Sequence, residues 1–348
     1  MILTSAELKN FRSYTKRVFS FSPQVTIITG VNTAGKTNIL EAIFMVATGK
    51  SFRADEEKEV IEWGYDVSRI TSHILRNDES TKLEVVITTG TTMGRKTQIK
   101  RYFVNGVARR LIDFVGNLRA VLFWPEDLEL ITDSPSLRRK YLDFVLSQVD
   151  REYRRSLYSY EKGVRQRNKL LEKIRDEGVS RSQLLFWDQL LIKTGNYITQ
   201  KREVYIDSIN KNAKPFGNFR VMYDLSPISE MRLVQYAQEE VAAAVTLVGP
   251  HRDDLVFFEK DRNLAKYGSR GEQRLVVLWL KLAELEYILQ NTGERPLLLL
   301  DDIFSELDHE HREEIAKIVG LQQTIMTTTD VHFLPKSLVR EAEMIELS

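Results

Sequence analysis

The chain has 348 residues, of which 43% are hydrophobic and 28% charged, and its formal net charge is +1. This length favours about two domains, and the composition is typical of a globular protein. No run approaches the roughly 18 uninterrupted apolar residues of a membrane span, and the N-terminus lacks a secretion signal, so we expect a cytoplasmic protein without a membrane partner. The absence of cysteine excludes disulfides, thiolate catalysis and cysteine-ligated zinc.

The first part of the chain alternates strands with one helix. Strands are predicted at residues 2–8 and 24–29, where β-branched and apolar residues concentrate. A helix is predicted from Lys36 to Gly49, because apolar residues recur there at helical spacing. Short alternating runs between residues 66 and 110, with an Asn-Gly pair at 105–106, predict an antiparallel sheet with a tight hairpin.

The middle of the chain has helical periodicity. Residues 135–212 predict two long antiparallel helices with a break near Gly178. Strands and helices alternate again after residue 245, and Leu297–Leu300 is typical of a buried parallel strand. We therefore predict an α/β fold in which residues 1–145 and 245–348 form a discontinuous domain and residues 146–244 form an inserted helical arm.

A phosphate-binding loop follows the second strand. Residues 30–37 match GxxxxGK[ST] between a strand and a helix, which is the context this motif requires. In this motif the backbone N–H groups cradle phosphates, Lys36 neutralises the β and γ phosphates, and the Thr37 hydroxyl ligates Mg²⁺. The predicted site for ATP and Mg²⁺ contains Gly30, Val31, Asn32, Thr33, Ala34, Gly35, Lys36, Thr37 and Asn38.

Two acids follow the buried strand at 297–300. Asp301 and Asp302 occupy the position where a phosphate-binding-loop fold places the acid that holds Mg²⁺ and a neighbour that polarises water. We therefore predict that Asp301 binds the metal and that Asp302, with Lys36, acts in catalysis.

Two further motifs resemble those of ABC ATPases. Residues 268–273, Gly-Ser-Arg-Gly-Glu-Gln, are similar to the ABC signature motif and open a helix predicted over 274–289. Residues 305–308, Ser-Glu-Leu-Asp, are similar to the D-loop. Because 231 residues separate Lys36 from Gly268, a compact transporter ATPase would need a large insertion.

Within this superfamily the chain resembles the RecF family from end to end. The most discriminating segment is Gly-Pro-His-Arg at 249–252, because the nucleotide motifs are shared with structural-maintenance-of-chromosomes ATPases. This run is part of a similar segment at 248–255, and the other similar segments are residues 8–14, 35–43, 123–128 and 300–308.

The resemblance implies an ATP-dependent mode of action. ATP on the phosphate-binding loop of one protomer would be capped by Ser269 and Gly271 of a second, which gives a homodimer that ADP releases. Arg12 would reach the phosphates or the base of the nucleotide in cis, the alternative being an ordinary solvated arginine. The family role implied is weak DNA-stimulated ATP hydrolysis and loading of the RecA recombinase through RecR and RecO, on duplex DNA or its junctions with single strands.

Some positions depart from the ABC pattern or leave its assignment open. Thr33 replaces a frequent glycine and would strain the loop if that position requires φ > 0. Asp302 stands where most ABC ATPases have Glu, so we expect slow hydrolysis. The segment 323–328 lacks the switch histidine of transporters. Glu126 or Asp127 would lie near the ABC Q-loop position, and His251 and Arg252 belong either to the surroundings of the active site or to the core.

A basic stripe is predicted on the first arm helix. Residues 138–175 contain twelve Lys or Arg against five Asp or Glu. The stripe is either an ordinary solvated helix surface or a DNA-binding face that follows phosphates without reading sequence. Arg109-Arg110 and 138–140 are weaker candidates. The predicted DNA-binding residues are Arg151, Arg155, Lys162, Arg165 and Lys169.

Three other functions are compatible with parts of the pattern. A chromosome-structuring ATPase would need a longer coiled coil than about 70 helical residues. A clamp that binds nucleotide without cleaving it is disfavoured by the Asp301-Asp302 pair. A transporter subunit is disfavoured by the missing histidine and by the inserted arm.

Overall fold

The protein is described by a computed structural model that covers residues 1–92, 94–307 and 309–347. The chain forms two compact units. Unit 1 contains Met1–Glu126 and Ile288–Ser348, and unit 2 contains Asp127–Tyr287. None of the helices in the described part of the chain combines the length and apolar character that crossing a lipid bilayer requires.

Strands and helices are numbered in chain order. The strands are β1 (Ile2–Phe11), β2 (Tyr14–Ser20), β3 (Val25–Gly30), β4 (Val67–Arg76), β5 (Glu79–Thr88), β6 (Thr91–Thr92), β7 (Arg95–Lys96), β8 (Lys100–Val104), β9 (Val107–Arg109), β10 (Ala120–Phe123), β11 (Phe219–Asp224), β12 (Asp254–Glu259), β13 (Arg262–Asn263), β14 (Leu297–Asp301), β15 (Thr324–Thr328) and β16 (Glu343–Leu347). The helices are α1 (Lys36–Thr48), α2 (Leu111–Phe114), α3 (Glu129–Thr132), α4 (Pro135–Val149), α5 (Arg151–Glu177), α6 (Leu185–Lys211), α7 (Glu230–Gln235), α8 (Ala237–Ala243), α9 (Leu264–Tyr267), α10 (Arg270–Thr292), α11 (His309–Val319) and α12 (Lys336–Glu341).

A parallel sheet in unit 1 positions the site. Its strand order is β10-β14-β15-β3-β16, with every neighbouring pair parallel. The predicted buried strand is confirmed, because Leu297–Leu300 are all at most 2% exposed. Since the carboxyl ends of parallel strands meet at one edge of a sheet, the segments after β3, β10, β14 and β15 converge there.

A second, antiparallel sheet in unit 1 has the order β2-β1-β4-β5-β8-β9. The predicted hairpin joins β8 to β9, where Asn105 and Gly106 have φ of 50° and 75°, as a tight primed turn requires. Helix α1 contacts strands of both sheets and is buried along almost its whole length. A helix that is apolar on every side is stable only when it is enclosed in this way.

Unit 2 is organised by a helical hairpin, as predicted. Helices α5 and α6 have 27 residues each and pack against each other, with the break at Gly178. Helix α4 and strand β12 also pack in this unit. The borders of the compact units therefore lie at 126/127 and 287/288, whereas the predicted domain borders were at 145 and 245.

Buried arginine networks hold unit 2 together. The Arg202 guanidinium, whose side chain is 2% exposed, lies 2.9 Å from Asp143 and 2.8 Å from Asp253 and donates to the Pro250 carbonyl oxygen. Asp253 also accepts from the Ser226 backbone N–H at 2.8 Å. Three segments that are distant in sequence are therefore joined at one point.

The Gly-Pro-His-Arg segment belongs to this core. The two ring nitrogens of His251 lie 2.8 Å from the Tyr160 hydroxyl and 3.0 Å from the Thr246 carbonyl oxygen, which also accepts from Arg252. Gly249 has φ of 119°, and a Cβ there would collide with the Tyr160 hydroxyl oxygen. Of the two roles considered for His251 and Arg252, the contacts in unit 2 favour core packing.

Two arginines of the weaker DNA-binding candidate at 138–140 contribute to the packing of unit 2, and only Lys140 of the three is exposed. The Arg138 guanidinium is buried and pairs with Asp254 at 2.6 Å. A guanidinium held in this way cannot also neutralise a phosphate. Arg139 donates to the Asp253 carbonyl oxygen at 2.8 Å, so it too contributes to the packing of unit 2.

Replacing Asp253 with Ala should destabilise unit 2 severely. The change leaves the Arg202 charge buried without one of its two carboxylates, and breaking a buried ion pair costs about 3–5 kcal/mol. Urea unfolding followed by tryptophan fluorescence measures the effect. The matched control is Asp176→Ala, because that acid forms an exposed ion pair whose loss should change stability little. Equal losses in the two variants would show that the network is not a main source of stability.

The His251 ring should make unit 2 less stable in mild acid. Burial lowers the pKa of His251 from 6.5 to about 4. As the pH falls from about 6.5 to about 4, the unfolded chain takes up a proton that the folded protein does not, so the free energy of unfolding decreases. Over this range the free energy of unfolding of His251→Gln should depend less steeply on pH than that of the wild type. Parallel curves for the two proteins would contradict the assignment.

Candidate nucleotide site

A cleft of about 420 Å³ lies at the carboxyl edge of the parallel sheet. Its described lining comes entirely from unit 1. The segment after β3 contributes Asn32, Thr33 and residues 35–38, and the segment after β14 contributes Asp301 and Asp302. The remaining lining residues are Arg53, Trp124, Pro125, Glu126 and Thr329.

The loop at 30–37 is folded around the Lys36 ammonium. Its Nζ donates to the carbonyl oxygens of Gly30 at 2.7 Å and Val31 at 3.0 Å, and the residue is 8% exposed. The Tyr14 hydroxyl supports the loop by donating to the Gly35 carbonyl oxygen at 3.2 Å. The N-terminus of α1 and its first N–H groups are thus presented to the cleft, as anion binding requires.

Thr33 meets the condition for strain. Its φ is 77°, in the left-handed region that β-branched residues strongly disfavour. Left-handed backbone costs an L-residue about 1–2 kcal/mol. The loop at 30–37 therefore has a strained residue at the position where glycine was expected.

The two predicted metal ligands are adjacent. Asp301 Oδ1 accepts from the Thr37 hydroxyl at 3.1 Å and from the Thr327 hydroxyl at 2.7 Å. Burial raises the pKa of Asp301, although the two hydroxyls oppose the shift. A hydroxyl and a carboxylate in contact are oxygen ligands of the kind Mg²⁺ uses when it also binds phosphates and water. The residues present fit this ion.

Asp302 is positioned differently from its neighbour. Its φ is 51°, and its backbone N–H donates to the Thr327 side-chain hydroxyl at 3.0 Å. Among the described residues, none hydrogen-bonds to the buried Oδ1 of Asp302. A buried carboxylate oxygen without a donor is costly, and an ordered water or a ligand would satisfy it.

A buried glutamate holds two arginines at the start of α1. Glu41 is 0% exposed and receives two hydrogen bonds from Arg12, at 2.9 and 2.6 Å, and two from Arg53, at 3.1 and 2.9 Å. Burial would raise the pKa of Glu41, but these arginines and Ser51 hold it below its usual value. Arg53 also hydrogen-bonds Asn38 and lines the cleft, whereas Arg12 is not among the lining residues.

Arg53 and Glu41 were not among the predicted site residues. A charged residue within the apolar run of a predicted helix is a signal that points to Glu41, because such a charge requires a buried partner. No spacing rule links it to Arg53, which reaches it from the segment after α1.

The two acids proposed near the Q-loop position separate. Glu126 lines the cleft in unit 1. Asp127 belongs to unit 2 and pairs with Lys281 at 3.1 Å.

The signature-like motif lies in unit 2 at the start of α10. Ser269 and Gly271 are both exposed. The Ser269 N–H donates to Glu272 at 2.7 Å and the Glu272 N–H donates to the Ser269 hydroxyl at 3.3 Å, which is a reciprocal capping box. Neither predicted residue lines the cleft of unit 1. In the D-loop-like segment, Asp308 lies outside the described residues.

The predicted basic stripe lies on the exposed face of α5. Arg151, Arg155, Lys162, Arg165 and Lys169 are all exposed, while Tyr153 and Tyr160 on the other face are at most 2% exposed. Arg155 lies 3.8 Å from Glu152. Within the described part of the chain, Lys162, Arg165 and Lys169 form no ion pair.

Known proteins are similar to this chain along its whole length. A family model described as the RecF/RecN/SMC N terminal domain matches residues 2–343. The DNA replication and repair protein RecF of Oceanobacillus iheyensis is 33% identical, with 100% of this chain and 99% of that protein covered. The chain belongs to the RecF family. The RecF protein of Herpetosiphon aurantiacus is 36% identical over 99% of this chain and 97% of its own length.

Solved structures agree with this membership. The recombination mediator RecF-ATP of the RecFOR pathway matches with a TM-score of 0.87 and 30% identity, covering 94% of this chain and 92% of its own. A Pyrococcus furiosus Smc head domain matches with a TM-score of 0.51 at 17% identity over 94% of this chain and 90% of its own, which shows a shared fold. The predicted α/β ATPase-head fold is confirmed, and membership places the chain among RecF/SMC-type ATPases.

Replacing Thr33 with Gly should stabilise the protein. The change removes the left-handed strain, and we expect the free energy of unfolding to rise by about 1 kcal/mol. Ala34→Gly is the matched control: its φ is not positive, so the added chain entropy should lower that energy by about 0.4–1 kcal/mol. Urea titration of both variants compares them. If both replacements shift stability in the same direction, Thr33 is not strained.

Proposed function

We propose that this member of the RecF family is an ATP-dependent DNA-binding recombination mediator that dimerises on ATP. The observation that carries the proposal is that the nucleotide motifs are divided between unit 1 and unit 2. The loop at 30–37, Asp301 and Asp302 line one cleft in unit 1, whereas Ser269 and Gly271 are exposed in unit 2 and absent from its lining. A motif that is already capped and has Ser269 and Gly271 exposed is suited to a nucleotide held by another copy of the chain.

The proposed chemistry uses groups of this chain. Lys36 and Arg53 would neutralise the phosphates, with Arg53 kept in place by Glu41. Thr37 and Asp301 would hold Mg²⁺, which supplies charge neutralisation when bound. The unpaired Oδ1 of Asp302 would accept a hydrogen bond from the attacking water.

The consequence of hydrolysis would be release of the dimer. Ser269 and Gly271 from the second protomer would bind the γ-phosphate, and ADP lacks that group. ATP would then stabilise the dimer by binding it and not the monomer. Because the Asp302 side chain is one methylene shorter than Glu, we expect slow turnover, accelerated by DNA.

The proposed ligand of unit 2 is DNA. The exposed residues of α5 present cations along one helix face, and five phosphate contacts would give a salt slope of about −4.5. Duplex DNA, alone or at a junction with a single strand, is the proposed substrate. By likeness to the RecF of the RecFOR pathway, RecR and RecO are the proposed partners in loading RecA, and the proposed location is the cytoplasm.

The main alternative is a clamp that binds nucleotide without cleaving it. It requires that Asp302 take no part in cleavage. The position of Asp302 in the lining of the cleft favours hydrolysis, because its buried Oδ1 would be satisfied by a water held beside the nucleotide.

The mass of the protein with ATP tests the dimer. Light scattering should give about twice 40.4 kDa for the wild type with ATP and about 40.4 kDa with ADP. Lys36→Met should stay monomeric with ATP because it cannot neutralise the phosphates. Asp302→Asn is the matched control, since it should bind ATP, dimerise and release phosphate more slowly. A monomer under every condition would rule out the capped dimer, and turnover of many ATP per second would contradict slow hydrolysis.

A further inference from the structure

A long stretch of unit 1 contains no acid. Residues 85–112 include six Lys or Arg and no Asp or Glu. The chain as a whole has 49 acids in 348 residues, so a stretch of this length would be expected to contain about four. The stretch is distant in sequence from the basic stripe on α5. It belongs to unit 1, whereas α5 belongs to unit 2.

Its basic residues lie on two consecutive hairpins, the β6–β7 hairpin between β5 and β8 and the hairpin that joins β8 to β9. Strand β9 is the outermost strand beside β8, and the β6–β7 hairpin continues from β5, where the Thr88 N–H donates to the Ile99 carbonyl oxygen at 2.8 Å. Arg101 precedes Tyr102, the register partner of Arg109, so the two arginines extend from opposite faces of this edge of the sheet. We name as the basic hairpin surface the exposed residues Arg95, Lys96, Arg101 and Arg109.

These four cations are not used by the fold. The two other basic residues of the stretch have acidic partners, Glu57 for Lys100 and Asp113 for Arg110. Within the described residues, the four members of the basic hairpin surface form no ion pair. On strands β4 and β5, by contrast, the basic residues are paired, because Arg69 and Lys82 both form ion pairs with Glu84.

Protection of the sheet edge does not account for the pattern. Charged side chains on an edge strand prevent pairing with another chain. Lysine serves that purpose most often, but Arg101 lies on the inner strand β8, so protection of the edge does not explain the complete absence of acids. A surface of one sign that is exposed and unpaired instead favours a polyanionic ligand.

We propose that the basic hairpin surface is a second DNA-contacting site, which binds the phosphate backbone of duplex DNA. Neither aromatic residue of the stretch, Tyr102 or Phe103, is exposed, so the surface lacks the rings on which unpaired bases stack. It also lacks the exposed Trp or Tyr anchors that dominate protein interfaces. The proposal rests on the proposed function in taking DNA as the ligand, and adds that unit 1 binds it.

The test is the salt dependence of duplex binding by the full chain. In Arg101→Gln/Arg109→Gln the slope of log affinity against log salt should become shallower by about 1.8, from about 0.9 for each phosphate contact. Affinity at 0.1 M salt should fall by about tenfold or more. The matched control Lys58→Gln/Lys317→Gln removes the same charge from exposed lysines of unit 1 that pair with Glu56 and Glu314. It should retain the wild-type slope.

Each outcome decides the proposal. A reduced slope in the test variant alone, with an unchanged melting temperature, supports it. If the test variant binds duplex DNA with the wild-type slope and affinity, the proposal is overturned and the proposed function is left intact. The same holds if the variant loses binding only to an acidic protein. Equal losses in test and control variants also overturn it, because they show only net charge. If the wild type binds no duplex with or without ATP, both proposals fail.

Discussion

The enclosure of α1 is the constraint on which the site depends. The helix is packed between the two sheets of unit 1, so its first turn cannot shift without opening the core. Lys36 and Thr37 begin that helix, and Glu41 one turn later fixes Arg12 and Arg53 by four hydrogen bonds. The geometry of the phosphate-binding groups is therefore set by apolar packing, and Thr33 adopts a strained backbone within that rigid frame.

Features encoded by neighbouring residues were predictable from the sequence. The loop at 30–37 and the Asn-Gly hairpin depend on residues within one turn of each other, and the strand at 297–300 on a local apolar run. The helical hairpin follows from periodicity alone. Contacts between distant segments were not predictable. The ion pairs of Glu41 with Arg53 and of Arg202 with Asp253 depend on tertiary packing. So do the borders of the compact units, which lie at 126/127 and 287/288 and not at the predicted 145 and 245.

Arginine has two different roles in this chain, so a count of local charges does not by itself identify a binding surface. Arg138 and Arg167 contribute to the basic excess of residues 138–175, yet both are buried, and Arg167 pairs with Glu240 at 2.6 Å. Their charges are neutralised within unit 2. The exposed cations of α5 and of the basic hairpin surface have few acidic partners. Burial and pairing, rather than local composition, distinguish a cation that holds the fold from one that is available to a ligand.

The Arg202 network also limits how this chain can change during evolution. Its members Asp143, Arg202 and Asp253 come from three separate segments, and Arg202 also donates to the carbonyl oxygen of Pro250. Loss of Arg202 leaves the buried Asp253 without its cation, and loss of either acid leaves Arg202 with one carboxylate in place of two, so single replacements pass through a less stable protein. An apolar version of the same core would be stable only if all three positions changed together. Substitutions at these positions should therefore appear as correlated sets, whereas the exposed face of α5 can vary one residue at a time.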